Sequence, residues 1–144
     1  LSSQAFLTDR ERGRPAQQYV AKMLRSWGLD VYEVDDGFFQ DYDLIAWGKD
    51  GKKHTIEVKF DIRASETHNL FLEIEALFHS KAELLAIVTD NPRTVYLTPL
   101  QPVLAFAHNW PRKIAAGEFK GEGAVVPIKD FINKLNPEVL TTNK

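Results

Sequence analysis

The chain contains no cysteine. Disulfides, thiolate metal sites and cysteine nucleophiles are excluded, and the cytoplasm is the default expectation for its compartment. No run reaches the roughly 18 consecutive apolar residues of a membrane span, so no membrane partner is expected. The opening LSSQAFLTDRERG lacks the charged flank and apolar centre of a secretion signal. No glycine-rich phosphate loop is present, and no nucleophile elbow of a Ser-His-Asp hydrolase. The four histidines, His54, His68, His79 and His108, show no paired zinc spacing. Charge of one sign is also missing: 18 Lys and Arg face 20 Asp and Glu, a net of −2.

What is present is a foldable composition. With 144 residues, 44% of them apolar, and three Trp and nine Phe, one domain with a real core is expected. The charges are unevenly placed. Six acids stand between Asp30 and Asp43 with no Lys or Arg among them. Arg10, Arg12, Arg14, Lys22 and Arg25 precede this block, and Lys49, Lys52, Lys53, Lys59 and Arg63 follow it. Such a block is either a solvated loop or a place to hold a cation beside a polyanion.

Periodicity orders the chain. Tyr19, Val20, Met23, Leu24 and Trp27 predict a helix from about Pro15, in its first turn, to Trp27, stopped by Gly28. LDVYEV, DLIAWG and HTIEVKF read as strands, LFLEIEAL alternates like one, and LLAIVTD resembles a buried one. TVYLT follows the Asn91-Pro92 turn. Thr98, Pro99 and Gln101 supply a capping pattern for a helix over LQPVLAFAHNW. AAGEFKGEGA reads as a mobile loop, AVVPI as an edge strand, and KDFINKLN as a closing helix ended by Pro137. Helix, then strands, then helices describes α+β or mixed α/β with a central sheet.

The hairpin around KDG sets the chemistry. A two-residue turn would pair Asp43 with Val58. A three-residue loop, Lys49-Asp50-Gly51, puts Gly51 in the left-handed position and pairs Asp43 with Glu57 and Asp41 with Lys59. The second register sends Leu44, Ala46, Ile56 and Val58 together to the core face and is preferred for that reason. Opposed carboxylates repel unless a cation neutralises them. Mg²⁺, with Mn²⁺ as a substitute, takes oxygen ligands at about 2.1 Å and often needs only one or two carboxylates. Asp43, Glu57 and the Val58 carbonyl make an open site of that kind. Lys59 adds an ammonium to orient water or stabilise charge on a phosphoryl group.

Asp43 in YDLIAW followed by Glu57-Val58-Lys59 resembles the signature of the PD-(D/E)XK nuclease superfamily. AQQYVAKMLRSWGLDVYEV resembles its leading helix and first strand, and ETHNLFLEIEAL with SKAELLAIVTD is similar to small phage and Holliday-junction-resolvase-like members. The resemblance spans roughly residues 15–98. It implies a central mixed β-sheet flanked by helices, a restriction-endonuclease-like core, with the site on the second and third strands. Counting back from Leu24 and Gly28 places Gln17 where that family commonly has Glu, and Tyr42 stands where Pro often does. The resemblance gives Gln17 a supporting role and weakens a second metal position.

Asp61 either orients the site or lies on the surface, and Asp41 either pairs with Lys59 or is a loop acid. Glu73 and Glu75 read either as an exposed strand face, the preferred reading, or with one of them bordering the site. Thr67, His68 and Asn69 form a polar loop within reach of phosphate. Arg63 and Lys81 suit contacts to the DNA backbone. Arg10, Arg12 and Arg14 form either a basic arm over residues 1–14 or a loose terminus. The expectation is a Mg²⁺-dependent DNA endonuclease, with residues 99–144 supplying C-terminal helices and a loop. A chain this short has little beyond its core to span a DNA site, so a homodimer is expected if both strands are cut. The alternatives are a non-catalytic nucleic-acid-binding module on the same fold, or an unrelated α+β binding domain.

Overall fold

The structure, a computed structural model, describes residues 9–34, 41–61, 63–90, 92–116 and 121–141. The side chains of Arg10, Arg12 and Arg14, the acids Asp35 and Asp36, Asn91 and residues 117–120 lie outside that description.

Helix α1 (Asp9–Ser26) presents Ala16, Val20, Met23 and Leu24 as one buried stripe, the spacing of an amphipathic helix. It starts earlier than its sequence pattern indicated, so Pro15 lies inside it rather than in its first turn. It stops as expected. Gly28 takes φ +93°, its N–H bonds the Arg25 carbonyl, and Leu29 N–H reaches back to Leu24. These two bonds are those of a Schellman cap.

Strands β1 (Asp30–Glu33), β2 (Leu44–Trp47), β3 (Lys53–Asp61), β5 (Leu84–Thr89), β6 (Thr94–Pro99) and β9 (Glu138–Thr141) form a six-stranded sheet in the order β1-β2-β3-β5-β6-β9. Only the β3–β5 pair is parallel, and the other pairs are antiparallel. Between β3 and β5 the chain forms α2 (Ala64–Thr67), β4 (Asn69–Glu73) and α3 (Ile74–His79). Beyond β6 come α4 (Leu100–Asn109), β7 (Lys113–Ala116), β8 (Gly121–Pro127) and α5 (Ile128–Leu135). A second sheet has the order β4-β8-β7.

The main sheet is covered on both faces. Leu44, Ala46, Ile56, Val58, Ala86, Val88 and Val95 pack under α1. Leu85, Ile87 and Tyr96, one residue out of phase, pack against α3, α4, α5 and the small sheet. This is a central mixed sheet flanked by helices, as the sequence indicated. Each fully buried Leu, Ile or Phe contributes roughly 1.5–3 kcal/mol, so both layers matter for stability.

Four local readings are corrected. LFLEIEAL is a strand only to Glu73, because Ile74, Leu77 and Phe78 also have helical spacing and continue as α3. Thr98 does not cap α4. It is buried in β6 opposite Leu85, Pro99 is the cap residue, and Leu100 N–H finds the Glu83 carbonyl at 3.0 Å. AVVP is the middle strand of the small sheet, not an edge, and its apolar run is what two covered faces require. The region 99–144 therefore holds strands besides its helices. The stretch AAGEFKGEGA contributes to paired β7 and β8 on either side of residues 117–120. Gly123 lies beneath the Phe71 ring, so closely that a Cβ there would overlap it.

Candidate functional site

The hairpin register is the three-residue one. Leu44 faces Ile56 and Trp47 faces Lys53. Gly48 N–H bonds Lys52, Gly51 N–H bonds Gly48 at 2.9 Å, and Gly51 takes φ +80°. This is the bulged loop that left-handed glycine permits.

The ladder then changes. Asp43 N–H also points at Ile56, with its carbonyl oxygen 2.9 Å away, so Asp43 and Leu44 both fall opposite one residue. Two residues against one is a β-bulge, which re-aims side chains. Neither the Asp43–Glu57 nor the Asp41–Lys59 pairing expected from a regular ladder is formed among the described strand pairs. The Asp41 carbonyl instead accepts Lys81 N–H at 3.1 Å.

Asp43, re-aimed in this way, is only 9% exposed as a residue. Its Oδ2 accepts Val58 N–H at 2.8 Å, and its Oδ1 accepts Gln17 Nε2 at 3.2 Å. One side chain thus ties β3 to α1. In an extended strand a residue's N–H and C=O point to the same edge. The Val58 carbonyl therefore faces the edge where Asp43 sits.

Glu57 and Lys59 project from the other face of β3, beside Leu85 and Ile87 of β5. Glu57 Oε2 lies 3.5 Å from Lys59 Nζ, with the two side chains 16% and 38% exposed. Ser80, just after α3, donates its hydroxyl to Glu57 Oε1 at 3.0 Å. Its Oγ also accepts Ala82 N–H at 3.2 Å. Ser80 was not legible as a site residue, because only the crossover from β3 to β5 brings it there. A half-exposed pair at 3.5 Å such as Glu57–Lys59 contributes modestly to stability and serves to orient both groups.

Among the described residues, no three His, Cys, Asp or Glu side chains form a group suited to a metal ion. The donors expected from the sequence are the Asp43 and Glu57 carboxylates and the Val58 carbonyl, and the described contacts do not bring the two carboxylates together. Oxygen donors of this type would suit a hard cation such as Mg²⁺ and are too few for a structural zinc.

Lys59 also opens onto a cavity of about 580 Å³ between the main sheet and the small one. Arg63 and Asn69 line it, as does Glu73, which is half-buried rather than an exposed strand acid. Arg112, which no local pattern marked, joins them because β7 folds back along β8. Lys81 is exposed in the turn before β5 and does not line it. His68 is the left-handed residue closing α2, with φ +60°. Thr67 Oγ1 is turned onto the backbone of Arg63 and Asn69.

Asp61 serves the architecture. Its Oδ2 accepts Phe71 N–H at 2.9 Å and its Oδ1 accepts Arg63 N–H at 3.3 Å, which fastens β4 to the end of β3. Burial pushes its carboxyl above the usual carboxylate value, and these backbone donors offset only part of that rise.

With this geometry established, comparison with known proteins identifies the architecture. No protein-family model matches the sequence, and no curated protein matches it. Among solved structures, the chain is similar to a bacterial homing endonuclease, I-Ssp6803I. The TM-score is 0.51 at 14% sequence identity, over 69% of this chain and 74% of that one. The fold is nuclease-like. At so low an identity the likeness concerns the path of the chain, and each side-chain role rests on the contacts described above.

Proposed function

We propose that this chain is a metal-dependent DNA endonuclease of the PD-(D/E)XK kind, acting on phosphodiester bonds. One observation carries the reading. The bulge at Asp43 turns a buried carboxylate onto β3 at Val58, between the α1 residue Gln17 and the strand that bears Glu57 and Lys59. A regular hairpin stabilises itself without burying a carboxylate, whereas a cation site needs one held in place. The homing-endonuclease description of the similar structure supports DNA as the substrate.

Asp43, Glu57 and the Val58 carbonyl would hold Mg²⁺, or Mn²⁺ in its place. The ion supplies Lewis acidity toward the phosphate and toward water. Lys59 orients the attacking water and stabilises charge on the phosphoryl oxygens. Ser80 and Lys59 together fix the Glu57 carboxylate, one donor to each oxygen. Gln17 spends its Nε2 on Asp43 and keeps its amide oxygen as an acceptor for water. Arg63 and Asn69 serve the DNA backbone beside Lys59, and Lys81 does so from the turn near Ser80. Cutting both strands requires two such sites, so action as a homodimer inside the cell belongs to the same reading. The sequence resemblance to small phage and junction-resolving members supports branched DNA as one substrate to test.

The test is cleavage of supercoiled plasmid and of branched DNA with Mg²⁺ or Mn²⁺, against EDTA, for wild type and Lys59→Ala. Loss of a donor that stabilises transition-state charge costs roughly a hundredfold or more, so the variant should fall at least that far while still binding DNA. If both proteins bind DNA and both are inert, the binding-module alternative replaces this reading.

A further inference from the structure

We infer that the cavity beside Lys59 receives one unpaired nucleotide of the bound strand, so that the preferred substrate is DNA with an unstacked base next to the cut. The inference rests on the nuclease reading for its choice of ligand, but its evidence is separate. The cavity holds about 580 Å³, inside the roughly 300–1,000 Å³ range of sites that enclose small molecules. A phosphate needs no such depth, because cations on an open surface suffice to hold a duplex backbone.

The walls carry the rest of the argument. The floor is apolar, formed by Leu70, Leu72, Leu85 and Ile87. Phe71, anchored over Gly123, and Ile114 stand at its sides. This apolar surface is wasted on a sugar-phosphate chain and suits the face of a base. The cations are Lys59, Arg63 and Arg112. Arg63 and Arg112 are exposed, and no ion pair holds either among the described residues. They come from separate elements, one after β3 and one before β7, so that each can hold a phosphate flanking an inserted base.

Of the two acids on the lining, Asp61 has both oxygens turned onto backbone amides. Glu73 and Asn69 remain to meet a base edge, an acceptor and a mixed donor-acceptor. Lys59 belongs both to this cavity and to the Glu57 pair. The inserted nucleotide would therefore neighbour the phosphate undergoing attack. Extruding a base from a perfect duplex costs unstacking energy that an already unpaired base avoids, which is the source of the preference.

The experiment is binding in EDTA, where no cutting occurs. Two duplexes of one sequence are compared, one perfect and one with a single unpaired 2-aminopurine, using wild type and Ile114→Trp. Ile114 is 46% exposed on an edge strand, so the larger ring can fill the cavity mouth without disturbing the core, as circular dichroism will verify. Wild type should bind the unpaired substrate about tenfold tighter, the lower range of what one stacked base contributes, with a change in probe fluorescence. Ile114→Trp should bind both equally, at the wild-type affinity for the perfect duplex. Arg112→Gln should weaken binding of the unpaired substrate more than of the duplex. Equal wild-type affinity for the two substrates overturns the inference, as does a preference that survives Ile114→Trp. Metal-dependent cutting of perfect duplex without preference would leave the nuclease reading standing and remove this one. A preference abolished by Ile114→Trp in a protein that never cuts would do the reverse.

Discussion

Replacing Asp43 separates holding the fold from performing chemistry. Its two oxygens satisfy Val58 N–H at 2.8 Å and Gln17 Nε2 at 3.2 Å. Asp43→Ala removes both acceptors. An unsatisfied buried donor costs about 1–3 kcal/mol, and a bond to a charged acceptor is at the stronger end. Val58 N–H lies in a buried strand and bears that cost in full. Gln17 is half-buried and recovers part by turning to water. The sum is about 3 kcal/mol, which at a urea slope of about 1.5 kcal/mol/M moves the midpoint down by about 2 M.

Asp43→Asn keeps the shape and one oxygen for Val58, and Gln17 can rotate its amide to accept from the new NH₂. Its cost is about 1 kcal/mol or less, under about 0.7 M in urea. Loss of a supporting group around a metal costs 10–100-fold, so loss of a ligand should lower metal-dependent cleavage by at least about a hundredfold in both variants. The pair is measured by urea unfolding followed by tryptophan fluorescence and by plasmid cleavage. An Asp43→Asn protein that stays folded and cuts at more than about a tenth of the wild-type rate would refute the ligand role. Equal destabilisation by Asn and Ala would refute the hydrogen-bond account.

Asp61 makes a signed prediction about pH. Its folded carboxyl lies above the ordinary value of 3.8 because burial disfavours its charge, so the native state binds more protons than the unfolded one between those two values. Wild type should therefore gain stability relative to Asp61→Asn as pH falls through the raised value toward 3.8. A relative loss over that interval, in chemical unfolding at matched ionic strength, would contradict the burial argument. Gly123→Ala should destabilise by about 1–3 kcal/mol, because the new methyl displaces the Phe71 ring and overpacking of this kind carries that cost. Thermal unfolding checks it, and an unchanged midpoint would show that the ring moves freely.

Much of this was written locally. The α1 stripe through Val20, Met23 and Leu24, though not the exposed Trp27, the Gly28 stop, the Gly51 loop and the apolar β5 depend on neighbours within a few residues, which periodicity and turn chemistry report. The hairpin register was legible for the same reason, since the loop residues fix it, whereas the bulge that re-aims Asp43 lies beyond the loop and left no local signal. The small sheet could not be foreseen, because β4 and β8 are separated by the whole of β5, β6 and α4. Where α3 begins was hidden by a stretch that satisfies both periods.

The sequence by itself determined α1 and its stop, the first three strands and the hairpin register, and the buried β5. Only the tertiary structure decided how Asp43 is aimed, through a bulge that lets Gln17 and Val58 hold it. It likewise decided that Ser80 steadies Glu57, and that Arg112 reaches the cavity of Lys59. Contacts between distant segments depend on how the sheets stack, and no local pattern carries that information.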